Sequence, residues 1–146
     1  MRNVLIEVIG SFLASIGFAI LFNIKGKHVI IAGLAGAMGA CVYKVALWYN
    51  CSELMAIFIS SLCFSFYSES LARICKTPVT TYIVCALIPF VPGGGMYQTM
   101  LEALQGNIDQ ALKTGFNTLS IAGVLVSGIL IVSTLMRTIY RRRSRL

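Results

Sequence analysis

The chain has 146 residues, of which 58% are apolar and 12% are charged, and its formal net charge is +7. Soluble domains carry about 25% charged residues, so this chain lacks the polar surface of a water-exposed globule and lipid must cover much of it. We therefore predict an all-α fold, a polytopic transmembrane helix bundle that forms a single integral membrane domain over residues 1–146.

The basic residues lie at the ends of apolar segments and not on a polar face with interleaved aromatic residues. This placement argues against a nucleic-acid partner and is typical of residues that orient a protein in the lipid bilayer. The five cysteines show no C-x-x-C spacing, and most lie inside apolar segments, where a thiol behaves as a small hydrophobe. We expect no metal site, no disulfide framework and no cofactor.

A transmembrane helix needs about 20 mainly apolar residues. The first such stretch follows Met1-Arg2, is longer than the apolar region of a signal peptide and lacks an A-x-A-like site, so we expect it to be retained. The fourth is interrupted by proline and glycine at 89–95. The predicted spans are 4–22, 29–48, 54–71, 79–104 and 116–136, followed by a basic tail over 137–146.

Lysine and arginine collect in alternate loops and in the tail, and basic loops stay in the cytoplasm. Five crossings satisfy every loop and predict a cell (plasma or inner) membrane protein with its N-terminus outside and its C-terminus in the cytoplasm. The alternative is a re-entrant fourth segment with four crossings, which would place the acidic loop around Asp109 beside the basic tail. The tail itself is interpreted as an anchor, with binding of acidic lipid or a partner as the alternative.

The interrupted fourth span is the strongest local signal. Prolines remove backbone donors and glycines remove the side chains that stiffen a helix, so the backbone should unwind over 89–95. Such backbone is tolerated in a membrane only where protein buries it or water reaches it. A short helix from near residue 96 to 104 would then present its free N–H groups to a carboxylate. The alternative is an ordinary turn at the outer surface.

Polar side chains inside the spans include two opposite charges and two lines of polar residues, each line along one helix face. Glu7 and Lys44 lie near the outer ends of spans one and two, where independent snorkelling to the headgroups is the simpler interpretation and pairing is the alternative. The lines either border a polar path or pack helices, and we favour packing through Gly36-x-x-x-Ala40 and Gly123-x-x-x-Ser127. The lines are Ser61, Ser65 and Ser68 on span three, and Asn117, Ser120, Ser127 and Thr134 on span five.

Catalysis has little support in the sequence. His28 is the only histidine and falls in a basic loop, where we interpret it as a solvated residue. No serine, cysteine or carboxylate has a partner at motif spacing, and no phosphate-binding or dinucleotide motif is present. We therefore do not expect an enzyme.

The segment Ile88-Pro-Phe-Val-Pro-Gly-Gly-Gly-Met-Tyr-Gln-Thr-Met100 resembles the threonine/serine exporter family, ThrE type. Ser68-Glu69-Ser-Leu-Ala72-Arg73 and Pro78 upstream, and Gln105-Gly106 downstream, extend the resemblance over essentially the whole chain. That family joins two membrane halves in one chain or divides them between a larger and a smaller subunit, and this chain resembles the smaller one.

The resemblance implies one subunit of a secondary-active exporter of small amino or carboxylic acids, such as threonine, serine or a dicarboxylate. It also implies a larger membrane partner subunit, and an oligomer is possible; the alternative is a non-transporting scaffold. The expected charge relay or gate comprises Glu69, Arg73, Lys44 and Glu7, although an interfacial salt bridge is the simpler account of Glu69 and Arg73. The expected substrate-binding or gating residues are Pro89, Pro92, Gly93, Gly94, Gly95, Tyr97, Gln98 and Thr99 of the motif, with Asn117.

Overall fold

A computed structural model describes the backbone of residues 2–143 and the side chains of residues 4–140, and the regular elements in that part of the chain are all helical. The all-α helix bundle is thus confirmed. Four helices, α1, α2, α3 and α6, are long and apolar enough to cross a membrane, and α4 and α5 make a fifth candidate, bent by 47° at a break. The elements are α1 (Arg2–Leu21), α2 (Lys27–Trp48), α3 (Glu53–Ile74), α4 (Thr80–Leu87), a 3₁₀ turn (Ile88–Phe90), α5 (Gly93–Leu104) and α6 (Ile108–Arg143).

The break in the fourth span is narrower than the sequence predicts. Only Val91 and Pro92 separate the 3₁₀ turn from α5, which begins at Gly93 and not near residue 96. Pro92 is tolerated directly before α5 because the N–H groups at a helix start have no intrahelical partner to lose. The last helix also begins earlier than residue 116, at Ile108, and continues past 136. The predicted basic tail is helical to Arg143, and its arginine side chains at 141, 142, 143 and 145 lie outside the described residues.

Tight turns of one kind connect the long helices. After α1, α2, α3 and α5 a single residue adopts positive φ, and the next N–H donates to a carbonyl five residues earlier, as in Ile24 N to Ala19 O at 2.9 Å. This pattern satisfies carbonyls that would otherwise be left unpaired at the helix ends. The residues of this pattern are Asn23, Asn50, Lys76 and Gly106, and Gly26 directly before α2 also has positive φ.

Contacts between the helices define two ends of the bundle. Helices α1, α3 and α6 run in one direction and α2 and α4 in the other, because Glu7 meets Lys44 and Arg73 meets Tyr140. We call the end with the starts of α1 and α3 the Glu7 end. The opposite one, with the ends of α3 and α6, is the Arg73 end. By the predicted orientation, the Glu7 end faces outward.

The bent pair of helices follows one overall direction through the bundle. Helix α4 starts at the Arg73 end, and α5 continues past the Glu7 end, where it packs antiparallel against the first turns of α6. Helix α6 has 36 residues and is therefore about 54 Å long, against about 30 Å of hydrocarbon. This path is that of a broken span and differs from a hairpin that returns to its starting side.

Small residues allow the helices to approach closely. A Cβ at Gly36 on α2 would collide with Ser15 of α1, and a Cβ at Gly128 on α6 would collide with Ser61 of α3. The predicted packing glycine of α6 was wrong, because Gly123 is exposed and a Cβ there would have no neighbouring atom within 4 Å. The line of serines on α3 is buried, as helix packing requires.

The α3–α6 contact yields a stability prediction. Gly128→Leu should lower the free energy of unfolding by about 1–3 kcal/mol, because an overpacked side chain must displace Ser61. Gly123→Leu on the same helix is the matched control and should leave stability unchanged. Thermal unfolding of the detergent-solubilised protein measures both, and equal effects of the two substitutions would contradict this packing.

The direction of the bent pair yields a topology prediction. In a variant without the five native cysteines, a cysteine at Asp109 should react with a membrane-impermeant thiol reagent only from outside the cell. A cysteine at Lys25 should react only from the cytoplasm and serves as the control. Labelling at position 109 only from the cytoplasm would exclude five crossings.

Candidate functional site

A cavity of about 200 Å³ lies at the Glu7 end, next to the break in the fourth span. Pro89 and Phe90 of the 3₁₀ turn and Pro92 of the break form one wall. Helices α1, α2, α3 and α6 supply the other walls, so the cavity lies where five elements meet. Its remaining lining residues are Glu7, Ser11, Ala40, Tyr43, Glu53, Ile57 and Ile121.

An ion pair borders this cavity. Lys44 Nζ lies 2.6 Å from Glu7 Oε2, so the preferred prediction of independent snorkelling was wrong and the alternative of a pair across α1 and α2 is observed. The antiparallel packing of these helices brings the two side chains together. Glu53, in the first turn of α3, lines the same cavity without an ion-pair partner among the described residues. The cavity thus combines one neutralised carboxylate with one uncompensated carboxylate.

The Phe90 ring anchors the break to the bundle. It stacks on Phe64 of α3 with ring centroids 5.5 Å apart, and it meets the edge of Tyr43 of α2 at 6.3 Å. A Cβ at Gly39 would lie 2.9 Å from Phe90 Cε2, so the ring occupies space that only a glycine leaves open. Aromatic packing of this kind holds Phe90, and with it the adjacent Pro89, at the wall of the cavity.

The first turn of α5 begins beside the cavity. Gly93 and Gly94 are exposed and have open space where a β-carbon would stand, whereas Gly95 packs against Thr118 of α6. The leading N–H groups of a helix have no carbonyl to bind within it, and they carry the positive end of the helix dipole. A carboxylate placed next to Pro92 would meet these donors.

The remaining motif residues lie farther along α5 and do not line the cavity. Tyr97 is 68% exposed, and Gln98 donates a hydrogen bond to Glu102 Oε1 at 2.7 Å. Thr99 donates to the Gly95 carbonyl and borders a groove of about 330 Å³ between α5 and α6. Asn117 is exposed on α6. The predicted site residues are therefore distributed over several surfaces, and of them only Glu7, Pro89 and Pro92 line the cavity.

A second polar group occupies the Arg73 end. Arg73 Nη2 donates to Glu69 Oε2 at 2.8 Å, and the guanidinium carbon lies 4.2 Å from the centroid of the Tyr140 ring on α6. Glu69 is only 3% exposed. The pair thus exists, and it is far from Glu7 and Lys44, so the four charges do not form one relay through direct contacts.

The interpretation of His28 as a solvated loop residue was wrong. His28 lies in the first turn of α2, and its Nδ1 is 2.6 Å from the hydroxyl of Tyr82, a fully buried side chain of α4. Thr77 donates to the same hydroxyl at 3.2 Å. The histidine therefore helps to satisfy a buried tyrosine, which the sequence spacing of 54 residues does not reveal.

Three buried serines have hydroxyls without a hydrogen-bond partner among the described residues. They are fully buried: Ser15 on α1, and Ser65 and Ser68 on α3. Their neighbours on α3 are satisfied, since Ser60 donates to the Gly39 carbonyl and Ser61 to the Phe58 carbonyl. The unpartnered hydroxyls form a polar interior between the two ends of the bundle.

Glu53, Tyr43 and Phe90 line the cavity but were not among the predicted site residues. Glu53 directly follows the helix-capping Ser52, and this pattern marks a helix start. Tyr43 precedes Lys44 and Phe90 lies inside the motif, but no spacing rule relates these two positions. Within the described residues, no three His, Cys, Asp or Glu side chains group as metal ligands.

Comparison with known proteins places the chain in a family. The sequence model described as "Threonine/Serine exporter, ThrE" matches residues 7–135. An uncharacterized protein of Haemophilus influenzae is 23% identical over 137 residues, which cover 88% of this chain and 46% of that protein. The chain thus spans about half the length of this relative. No solved structure matches.

The family match covers nearly all the elements that form the cavity, from Glu7 on α1 to the apolar part of α6. It agrees with the number and hydropathy of the helices, which are those of a multi-pass membrane protein. The chain therefore belongs to the threonine/serine exporter family, ThrE.

Proposed function

We propose that this chain is one subunit of a secondary-active exporter of small amino or carboxylic acids, threonine, serine or a dicarboxylate, and that it works with a larger membrane subunit. One observation supports this above the others: the fourth span breaks beside a cavity that contains charged side chains and adjoins the start of a helix. Discontinuous helices in secondary transporters place substrate at such breaks.

The groups around the cavity suit the two ends of a small acid. A substrate carboxylate would accept hydrogen bonds from the N–H groups of Gly94 and Gly95. A hydroxyl or ammonium group would face Glu53 and the Tyr43 hydroxyl across the cavity. Each contact compensates a group that is otherwise unpaired, and a desolvated binding site needs such compensation.

The length comparison supports the proposed larger partner. The H. influenzae relative has more than half of its length outside the region that this chain matches. A separate membrane chain that supplies the equivalent of that region would complete the transporter. The cavity at the Glu7 end is open, and a partner helix placed there would provide its missing wall.

Export should require both chains. We expect that cells loaded with a threonine-containing dipeptide or a dicarboxylate lose export of threonine or of the dicarboxylate when the gene for this chain is deleted. In cells that lack both genes, restoring this chain alone should not recover export, and restoring both chains should. Amino-acid and organic-acid analysis of the medium measures the result, and full export with either chain alone would contradict the two-subunit arrangement.

A large side chain at Gly94, next to the break, should impair export. Gly94→Leu should lower the initial export rate by about tenfold, equivalent to about 1.4 kcal/mol in the barrier, because the new side chain fills the space in front of the α5 donors. It collides with no neighbour, so the protein should still reach the membrane at its normal level. Gly123→Leu, also an exposed glycine with open space, is the matched control. A scaffold would retain export in both variants.

A further inference from the structure

We propose that Glu69 is the site where a coupling proton binds and that its ion pair with Arg73 is the element that this proton switches. The inference rests on the proposed exporter function and adds the residue at which a coupling proton binds. Three features support it: the burial of this carboxylate, the geometry of its single ionic partner, and the unpartnered hydroxyls on the same helix.

Glu69 differs from every other acidic residue of the chain in its burial. The sequence contains five acidic residues, and the structure describes all of them. Glu69 is 3% exposed, while the other four are exposed or half-buried. A carboxylate held inside a membrane protein is costly unless it is paired or protonated, and residues of this type mark proton pathways. The others are Glu7, Glu53, Glu102 and Asp109.

The bond to Arg73 makes the protonation state of Glu69 consequential. Arg73 Nη2 donates to Glu69 Oε2 at 2.8 Å, and the buried Nε of Arg73 has no acceptor among the described residues. A proton that binds Glu69 forms an O–H bond and neutralises the carboxylate, and Arg73 keeps its charge. The attraction along α3 is then lost, and Arg73 retains only its contact with the Tyr140 ring. Loss of the proton restores the pair.

Serine hydroxyls lead from the interior to Glu69. Ser65 and Ser68 are one turn and one residue before Glu69 on α3, so the three side chains share one face of the helix. Both hydroxyls are fully buried and have no hydrogen-bond partner among the described residues. A hydroxyl can accept and donate at once, and in this structure neither hydroxyl bonds to Glu69 or to the other one. They lie between Glu69 and the cavity at the Glu7 end.

The other ionisable groups at the Arg73 end have different partners or none. His28 of α2 bonds to Tyr82 of α4, and Tyr140 of α6 faces Arg73. Among the described contacts, Arg73 alone bonds to the Glu69 carboxylate. The remaining titratable or charged side chains of this region, on α3 itself, on the elements packed against it and in the loop after it, are Lys27, Tyr67, Cys75, Lys76, Cys85 and Arg137.

The test separates coupling from structure with two transport measurements on one preparation. Membrane vesicles are made from the native host in which the chromosomal copy carries Glu69→Gln, Glu69→Asp or the control Glu102→Gln. Net transport of labelled threonine, and in parallel of a labelled dicarboxylate, is driven by an imposed pH gradient. Exchange is measured without a gradient, as labelled substrate against the same unlabelled substrate inside.

In Glu69→Gln we expect gradient-driven transport to fall by about tenfold or more, a factor within the usual range of coupling between two sites. Exchange should stay within about twofold of wild type. Glu69→Asp should retain part of the gradient response, and Glu102→Gln should behave as wild type. Gradient-driven transport at the wild-type rate in Glu69→Gln would overturn the proposal.

If Glu69→Gln loses both activities, the double variant Glu69→Gln/Arg73→Gln distinguishes proton binding at Glu69 from a structural role. A neutral pair should recover exchange without the gradient response if the proton binds Glu69. Recovery of both activities, or of neither, would assign a structural role and overturn the proposal. If wild-type vesicles show neither activity with either substrate, the exporter function itself fails.

Discussion

The position of the Phe90 ring determines the geometry at the Glu7 end. The ring lies in the gap left by Gly39, stacks on Phe64, and thereby fixes the residues on both sides of it. Val91 and Pro92 belong to no helix, so this contact and local backbone hydrogen bonds, such as that from Gly93 N to the Val91 carbonyl at 2.7 Å, hold the two-residue break in place. The cavity, the direction of α5 and the seat of Gly95 on Thr118 all depend on it. An apolar contact thus positions a polar site.

The bundle keeps its charges at the two ends and small polar groups between them. Glu7 with Lys44, and Glu69 with Arg73, each pair a carboxylate with a cation. Glu69 is buried, and breaking a buried pair leaves an uncompensated charge that costs about 3–5 kcal/mol. The side chain of Glu7 is half exposed, so its pair with Lys44 across α1 and α2 is weaker. Hydroxyls on the helices mostly donate to their own backbone, as Thr118 does to the Thr114 carbonyl. The exceptions on α3 lie on the same face as Glu69.

Helices α5 and α6 give the molecule a surface that the other helices do not cover. They form a hairpin that extends beyond the Glu7 end and exposes large apolar side chains, among them Met100 and Phe116. In a membrane only lipid or another protein chain can cover such a surface. Asn117 is exposed on the same hairpin.

Features that depend on neighbouring residues could be predicted from the sequence. The helices of the first three spans begin and end within a few residues of the predicted limits, because length and hydropathy alone decide what a bilayer accepts. The interruption at Pro89 and Pro92 followed from proline chemistry, although its narrow extent did not. The motif also sufficed to suggest the family that the comparison with known proteins shows.

Tertiary structure decided which distant side chains meet. Glu7 pairs with Lys44, His28 with Tyr82, and Gly128 rather than Gly123 contacts α3. Each outcome depends on the rotation and axial position of one helix against another, and side chains at many positions would satisfy the same hydropathy. The sequence by itself determined how many apolar helices form and where one of them breaks. Only the packing of those helices determined that the break opens beside charged residues, because that juxtaposition requires five separate elements to converge.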